Sequence, residues 1–173
     1  MTTPVLWLNG PSGVGKTTVG REIVAALGRS GTPSALIDTD MLGLVRPSNP
    51  ADPEHHRLKA AHLGALWPVY RAAGARCLVL AGEFEDAAYP KLYADRIPDA
   101  TVTVCRLRLD ETDHRSRILE RNGKSVAWAD RLVADGAQFE RTDFADIVVD
   151  TGGLDPAASA SRILAAAGGW PLS

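Results

Sequence analysis

Two rhythms of apolar and polar positions alternate along this chain. Short continuous apolar runs recur, and longer stretches with a helical period separate them. Val5–Asn9 (VLWLN) predicts a buried strand that leads directly into a glycine-rich loop. A helix is expected from about Lys16, with Val19, Ile23 and Leu27 on one face and Gly28 or Gly31 at its end. Ser34–Asp40 (SALIDTD) predicts a second strand, followed by a polar, proline-rich loop over Arg46–His56. The next helix places Leu63, Leu66, Trp67 and Tyr70 on one face. Within it, Pro68 lacks the N–H that would bond back to Gly64, which predicts a kink or an early end.

Arg76–Gly82 (RCLVLAG) is apolar throughout, as in a strand covered on both faces. A helix is expected within Asp86–Arg96 and a strand over Thr101–Leu109 (TVTVCRLRL). In that strand Val102 and Val104 share one parity, whereas Cys105, Leu107 and Leu109 share the other. Either a bulge or burial on both faces accounts for the slip. Helices follow over about Thr112–Arg121 and Val126–Arg141, then a last strand over Asp146–Asp150 (DIVVD). The final helix has Asp155 as N-cap, Pro156 at its first position, and Ile163 and Leu164 toward the core. Five strands alternating with helices predict an α/β fold with a five-stranded parallel sheet covered on both sides. Ligands in such sheets bind beyond the carboxyl ends of the strands.

Composition narrows the function classes. A formal net charge of -2 and a pI near 6.1 supply no basic field for nucleic acid. No apolar run approaches the roughly 20 residues that cross a bilayer, and the N-terminus lacks the basic flank of a signal peptide. Cys77 and Cys105 lie inside apolar runs and are expected to be buried thiols. The four histidines show no zinc spacing. These features point to the cytoplasm and to no membrane or nucleic-acid partner. They leave monomer and homodimer open.

The chemistry begins in the glycine loop. Gly10-Pro-Ser-Gly-Val-Gly15-Lys16-Thr17 fits G-x-x-x-x-G-K-[ST] in full, between a strand and a helix. Glycines let the loop backbone curl so that its N–H groups point at phosphate oxygens, and the helix N-terminus adds partial positive charge. Gly10, Ser12, Gly13, Val14, Gly15, Lys16, Thr17 and Thr18 are therefore the nucleotide-binding candidates. Lys16 is expected at the β- and γ-phosphates, and the Thr17 hydroxyl at Mg²⁺. Downstream, Asp38 and Asp40 (IDTD) end the second strand beside this loop. One carboxylate there is placed to take a proton from an acceptor hydroxyl, and another to order Mg²⁺. On an extended strand both side chains point the same way.

With these residues the chain resembles the small P-loop phosphotransferases that act on metabolites. These include the shikimate, gluconate and adenylylsulfate kinases and the chloramphenicol phosphotransferases. The resemblance rests on GPSGVGKT, the D-x-D pair, the helix HRSRILER (His114–Arg121) and DIVVDTGGLDP (Asp146–Pro156). The stretch from Asp52 to Gly82 looks most like that of adenylylsulfate kinases. It implies a P-loop NTPase-type α/β/α domain over residues 1–173, with an acceptor-binding loop and helix around 46–73 and a lid around 112–126. Asp40 would be the general base, Asp38 the metal-side carboxylate, and Arg117 and Arg121 catalytic lid residues. Arg117, Thr151 and Gly152 would contact the nucleotide.

One departure stands out. Many P-loop enzymes carry an aspartate at the end of the strand that here reads LVLAGEF, where this chain has Gly82 and Glu83. Glu83 is either a metal or substrate contact or a surface glutamate. The departure argues against motor-type and switch-type NTPases. Arg46, Arg57 and Tyr89 are the other acceptor-side candidates, with Arg57 able to hold an anionic group through two bonds. The expected activity is transfer of the γ-phosphoryl group of ATP, GTP not being excluded, to a small-molecule hydroxyl with Mg²⁺. The alternatives are an antibiotic-inactivating O-phosphotransferase and a nucleotide-binding regulatory protein.

Overall fold

In the computed structural model, residues 2–120, 125–141 and 144–171 are described. Strand β1 (Thr3–Asn9) leads into α1 (Lys16–Arg29), and β2 (Ser34–Asp38) precedes α2 (His56–Ala72). Next come β3 (Cys77–Ala81), α3 (Tyr89–Ala94), β4 (Ala100–Arg108), α4 (Glu111–Glu120) and α5 (Val126–Arg141). The order ends with β5 (Ile147–Asp150) and α6 (Pro156–Ala166). The strands form one parallel sheet in the order β2-β3-β1-β4-β5.

Alternation along the strands sorts the core into two layers. Leu6 and Leu8 of β1, Val79 of β3 and Leu107 of β4 face α1 and α6, where Val19, Ile23, Ala160 and Ile163 cover them. Val5, Trp7, Leu78, Leu80 and Val104 face the opposite side, where α2 and α3 supply Ala60, Leu63, Trp67 and Tyr93. Each fully buried leucine or phenylalanine contributes about 2 kcal/mol, so both faces are needed to hold the sheet. β4 resolves the slip in its pattern. It pairs with β1 one residue to one from Ala100 through Arg106, without a bulge, and Val104, Cys105, Arg106 and Leu107 are buried in succession. Cys77 and Cys105 are free buried thiols.

Three local expectations are corrected. The early end at Pro68 does not occur, because α2 continues to Ala72. The buried face of α2 is His56, Ala60, Leu63 and Trp67, while Leu66 and Tyr70 are exposed. The spacing of Leu63 and Trp67 fits either stripe. The neighbouring rings select this one, since Tyr93 and Tyr89 pack on His56. The second strand stops at Asp38, and a 3₁₀ turn over Thr39–Met41 takes Asp40 out of the extended run. No helix among the described residues is long and apolar enough to cross a membrane.

Candidate active site

The loops after β1, β2 and β3 meet at the carboxyl end of the sheet, with α4 laid over the first of them. Loop 10–17 has the backbone its glycines allow: Gly10, Gly13 and Gly15 all have positive φ. At Gly10 a Cβ would lie 2.7 Å from the Leu107 carbonyl oxygen, so only glycine lets the loop leave β1 this close to β4. Gly15 is the N-cap of α1 and offers no side chain to cap it, and the first N–H bonded back to the Gly15 carbonyl belongs to Val19. The N–H groups of the first turn therefore remain as an anion-binding end. The cradle fits a nucleotide's phosphates.

Lys16 lies within this cradle. Its Nζ donates to the carbonyls of Gly10 (2.7 Å) and Pro11 (3.0 Å) and lies 3.9 Å from Glu83 Oε2. Burial pulls its pKa down, while Glu83, Asp40 and Asp38 pull it up. Burial pushes the Glu83 carboxyl up, and Lys16 opposes that shift. Each group thus holds the other's charged form in a poorly hydrated place.

Thr17 Oγ1 donates to Asp38 Oδ2 at 2.7 Å, bringing an alcohol and a carboxylate oxygen side by side. That donor set suits Mg²⁺, which takes one or two protein oxygens and completes its shell with phosphates and water. Among the described residues no group of three or more His, Cys, Asp or Glu is placed to hold a metal. A cation at Thr17 and Asp38 would therefore draw its other ligands from nucleotide phosphates and water.

The two aspartates of the D-x-D diverge because of the 3₁₀ turn. Asp38 Oδ1 accepts from the Asp40 N–H at 3.1 Å and caps the turn. This corrects the expectation of two parallel side chains: Asp38 faces Thr17, whereas Asp40 opens onto a cavity and sits 3.6 Å from Lys59 Nζ. Asp40 keeps a side chain 53% exposed. Thr39 between them is buried, its hydroxyl 3.4 Å from the Ala81 carbonyl. A Cβ on Gly82 would lie 1.7 Å from Thr39 Oγ1. The departure at the end of β3 thus has a steric cause: Thr39 fills the space that a side chain at position 82 would occupy.

The loop after β3 is fixed from β1. Asn9 Nδ2 donates to the Phe84 carbonyl (3.1 Å), the Phe84 N–H donates to Asn9 Oδ1 (3.2 Å), and Trp7 Nε1 donates to the Gly82 carbonyl (3.2 Å). These bonds set Glu83 on the cavity wall. Sequence reasoning missed Asn9, whose only signal is a polar residue at the end of a strand otherwise apolar. The cavity measures about 940 Å³ and includes Asp40, Lys59, Glu83 and Tyr89 in its lining. Tyr89 stacks on His56 with ring centroids 3.8 Å apart. Neither Arg46 nor Arg57 is in the described lining. Arg46 donates to Ser48 Oγ in the exposed loop, and Arg57 is exposed at the start of α2.

On the other side of the phosphate loop, α4 is tied down by two donors. His114 Nε2 is 2.8 Å from the Ser12 carbonyl, and Arg117 donates to the carbonyls of Thr151 (3.0 Å) and Val14 (3.5 Å). His114 was missed, although its three-residue spacing from Arg117 places both on one helix face. Arg117 also lines a cleft of about 380 Å³ with Gly15, Thr18, Leu154 and Pro156. That cleft shares no lining residue with the cavity beside Asp40. Thr151 is buried with its hydroxyl on the Arg108 carbonyl, and the Gly152 N–H is held by Asp150. Leu154 and Pro156, rather than these two, form the wall of the cleft. Arg121 lies outside the described residues.

No protein-family model matches the chain, and no curated protein matches it by sequence. Solved structures do match. The tunicamycin resistance protein of Deinococcus radiodurans superposes with a TM-score of 0.63 and 23% identity, over 96% of this chain and 96% of that one. The fold is that of the small P-loop kinases. An APS kinase from Mycobacterium tuberculosis, in complex with AMPPNP and APS, matches at TM-score 0.64 and 17% identity, over 96% of this chain and 98% of that one. A gluconokinase from Sinorhizobium meliloti 1021 matches at 0.62 and 19%, over 95% and 90%.

Proposed function

We propose that the protein is a phosphotransferase that moves the γ-phosphoryl group of ATP to a hydroxyl of a small molecule, with Mg²⁺ at Thr17 and Asp38. The observation that carries this reading is the position of Asp40. Its carboxylate opens onto a cavity of about 940 Å³ on the D-x-D side of the phosphate loop, while Asp38 stays with Thr17. Asp40 accepts the proton of the acceptor hydroxyl as the oxygen attacks the γ-phosphorus, and the bond to the β-phosphate oxygen breaks to release ADP. Lys16 neutralises charge on the transferring group. Mg²⁺, when bound, supplies further neutralisation of the β- and γ-phosphates.

A regulatory nucleotide-binding protein needs no second cavity beside a solvent-open carboxylate, which favours transfer over sensing. GTP is not excluded as donor. Residues around 46–73 and 112–126 serve in this reading as the acceptor-binding and lid segments. The test is Asp40→Asn. Nucleotide affinity should stay within about threefold, while transfer to an accepted hydroxyl compound falls by about 10²- to 10⁴-fold. Normal turnover in that variant would remove Asp40 from the role of base.

A further inference from the structure

The cavity beside Asp40 has a one-sided charge. Six carboxylates line it: Asp40, Glu54, Glu83, Glu85, Asp86 and Asp135. Against them stand two cationic side chains, Lys59 and Arg131, and Lys59 already lies 3.6 Å from Asp40. Among the described residues Glu54, Glu85 and Asp135 have no ion pair. His56, also in the lining, adds no charge at neutral pH, since burial and then Lys59 hold its pKa down at about 4. Even with Glu83 matched by Lys16, five carboxylates outnumber the two cations of the lining.

Apart from Ala87, the remaining described lining of the cavity is aromatic. His56 and Tyr89 stack at 3.8 Å between centroids, and Phe84 and Phe144 stack at 5.4 Å, with all four rings in the lining. Aromatic faces carry a negative quadrupole and attract cations, as carboxylates do. Arginine, the side chain best suited to a carboxylate, sulfate or phosphate, enters the described lining only as Arg131. An anionic acceptor would meet repulsion from this wall and from the nucleotide's own phosphates.

Resting on the phosphotransferase reading, we infer that the acceptor is a cationic hydroxyl compound of the amino sugar, aminocyclitol or amino alcohol class. Its ammonium group is held by the carboxylates and rings that line the cavity with Asp40. The phosphate loop and the cavity define the site, and the carboxylates and rings decide the charge of what it accepts. The amine stays protonated and takes no part in bond making. The hydroxyl oxygen forms the new bond to phosphorus, its proton goes to Asp40, and ADP departs with the electrons of the broken P–O bond.

The test offers the full chain, with ATP and Mg²⁺, matched sets of amine-bearing, N-acetylated and carboxylated hydroxyl compounds. Glucosamine, N-acetylglucosamine and glucuronate head a panel that includes aminocyclitols and amino alcohols. Gain of one phosphate mass and kcat/KM are read for each. Amine-bearing members should be preferred by about tenfold or more, and N-acetylation, which removes the charge, should act mainly through KM. Glu85→Gln and Asp135→Asn should each raise KM for the amine about three- to fivefold and leave KM for the N-acetylated form unchanged. Transfer to neutral or carboxylated compounds without preference for the amine overturns the inference and leaves the phosphotransferase reading standing. Nucleotide binding without transfer to any member overturns both.

Discussion

In the proposed phosphotransferase, the donor and acceptor halves of the site are built from different materials. The donor half is mostly backbone: loop 10–17 is curled by three glycines of positive φ, followed by the open first turn of α1. The acceptor half is side chain: carboxylates and rings drawn from residues between 40 and 144, over a wall pinned by Asn9 and Trp7. Backbone geometry binds a phosphate whatever the substrate, so it needs one contiguous motif. Side-chain surfaces choose the substrate, and their members are scattered along the chain.

The comparison breaks most easily at Lys16. Lys16→Ala should lower phosphoryl transfer to any acceptor, and background nucleotide hydrolysis with it, by about 10³-fold. Coupled-assay kinetics with and without acceptor check this. A loss confined to one acceptor would place Lys16 on the acceptor side.

Next in size is an acid sensitivity that belongs to the acceptor half alone. The folded pKa of His56 lies at about 4, below its ordinary 6.5. Between these values the unfolded chain binds the proton and the folded chain resists it. The stabilising contribution is therefore full above about pH 6.5 and is lost as pH falls toward 4, by about 3 kcal/mol for the whole shift. Urea unfolding at pH 7 and pH 5 should show the decline, and His56→Gln should flatten it. An unchanged slope in that variant would assign the acid sensitivity to other groups.

The seam between the halves is Gly82. Gly82→Ala drives a methyl into Thr39 Oγ1 and should cost about 2 kcal/mol of stability, read as a lower melting temperature. Thr39→Ala in the same chain should recover at least half of that loss, a coupling that a double-mutant cycle measures. The smallest effect is expected at Arg57. The residue is exposed and outside the described lining, so Arg57→Ala should change acceptor KM by less than about twofold. A larger change would draw α2's first turn into the acceptor half.

Much of the sheet was legible in the sequence, because each strand carries its own apolar run between glycine, proline and aspartate signals. Asp155 shows how local such information is: it caps α6 through the Ala158 N–H at 2.7 Å, as the D-P pair predicts. The face of α2 was not legible, since ring contacts from α3 decide it. The D-x-D motif was legible as a pair of carboxylates but not as a geometry. The turn that separates Asp38 from Asp40 goes with the packing of Thr39 against Gly82, 43 residues further along the chain. Arg46 and Arg57 looked suited to an acceptor because they flank a loop after the D-x-D. Only the folded chain shows that carboxylates from four separate segments line the cavity, with neither arginine in the described lining.

The open first turn of α1 has a further consequence. A helix start capped by glycine forgoes roughly a few tenths of a kcal/mol that a serine or aspartate side chain would supply. The missing cap is returned by whatever anion occupies the loop, so occupancy enters the folding equilibrium itself. At a hundredfold excess over its dissociation constant, a nucleotide adds about 2.7 kcal/mol to the folded state. The chain's lifetime against unfolding would then track the supply of its own phosphoryl donor. In the proposed phosphotransferase, starvation for that donor would thin the folded population as well as slow turnover.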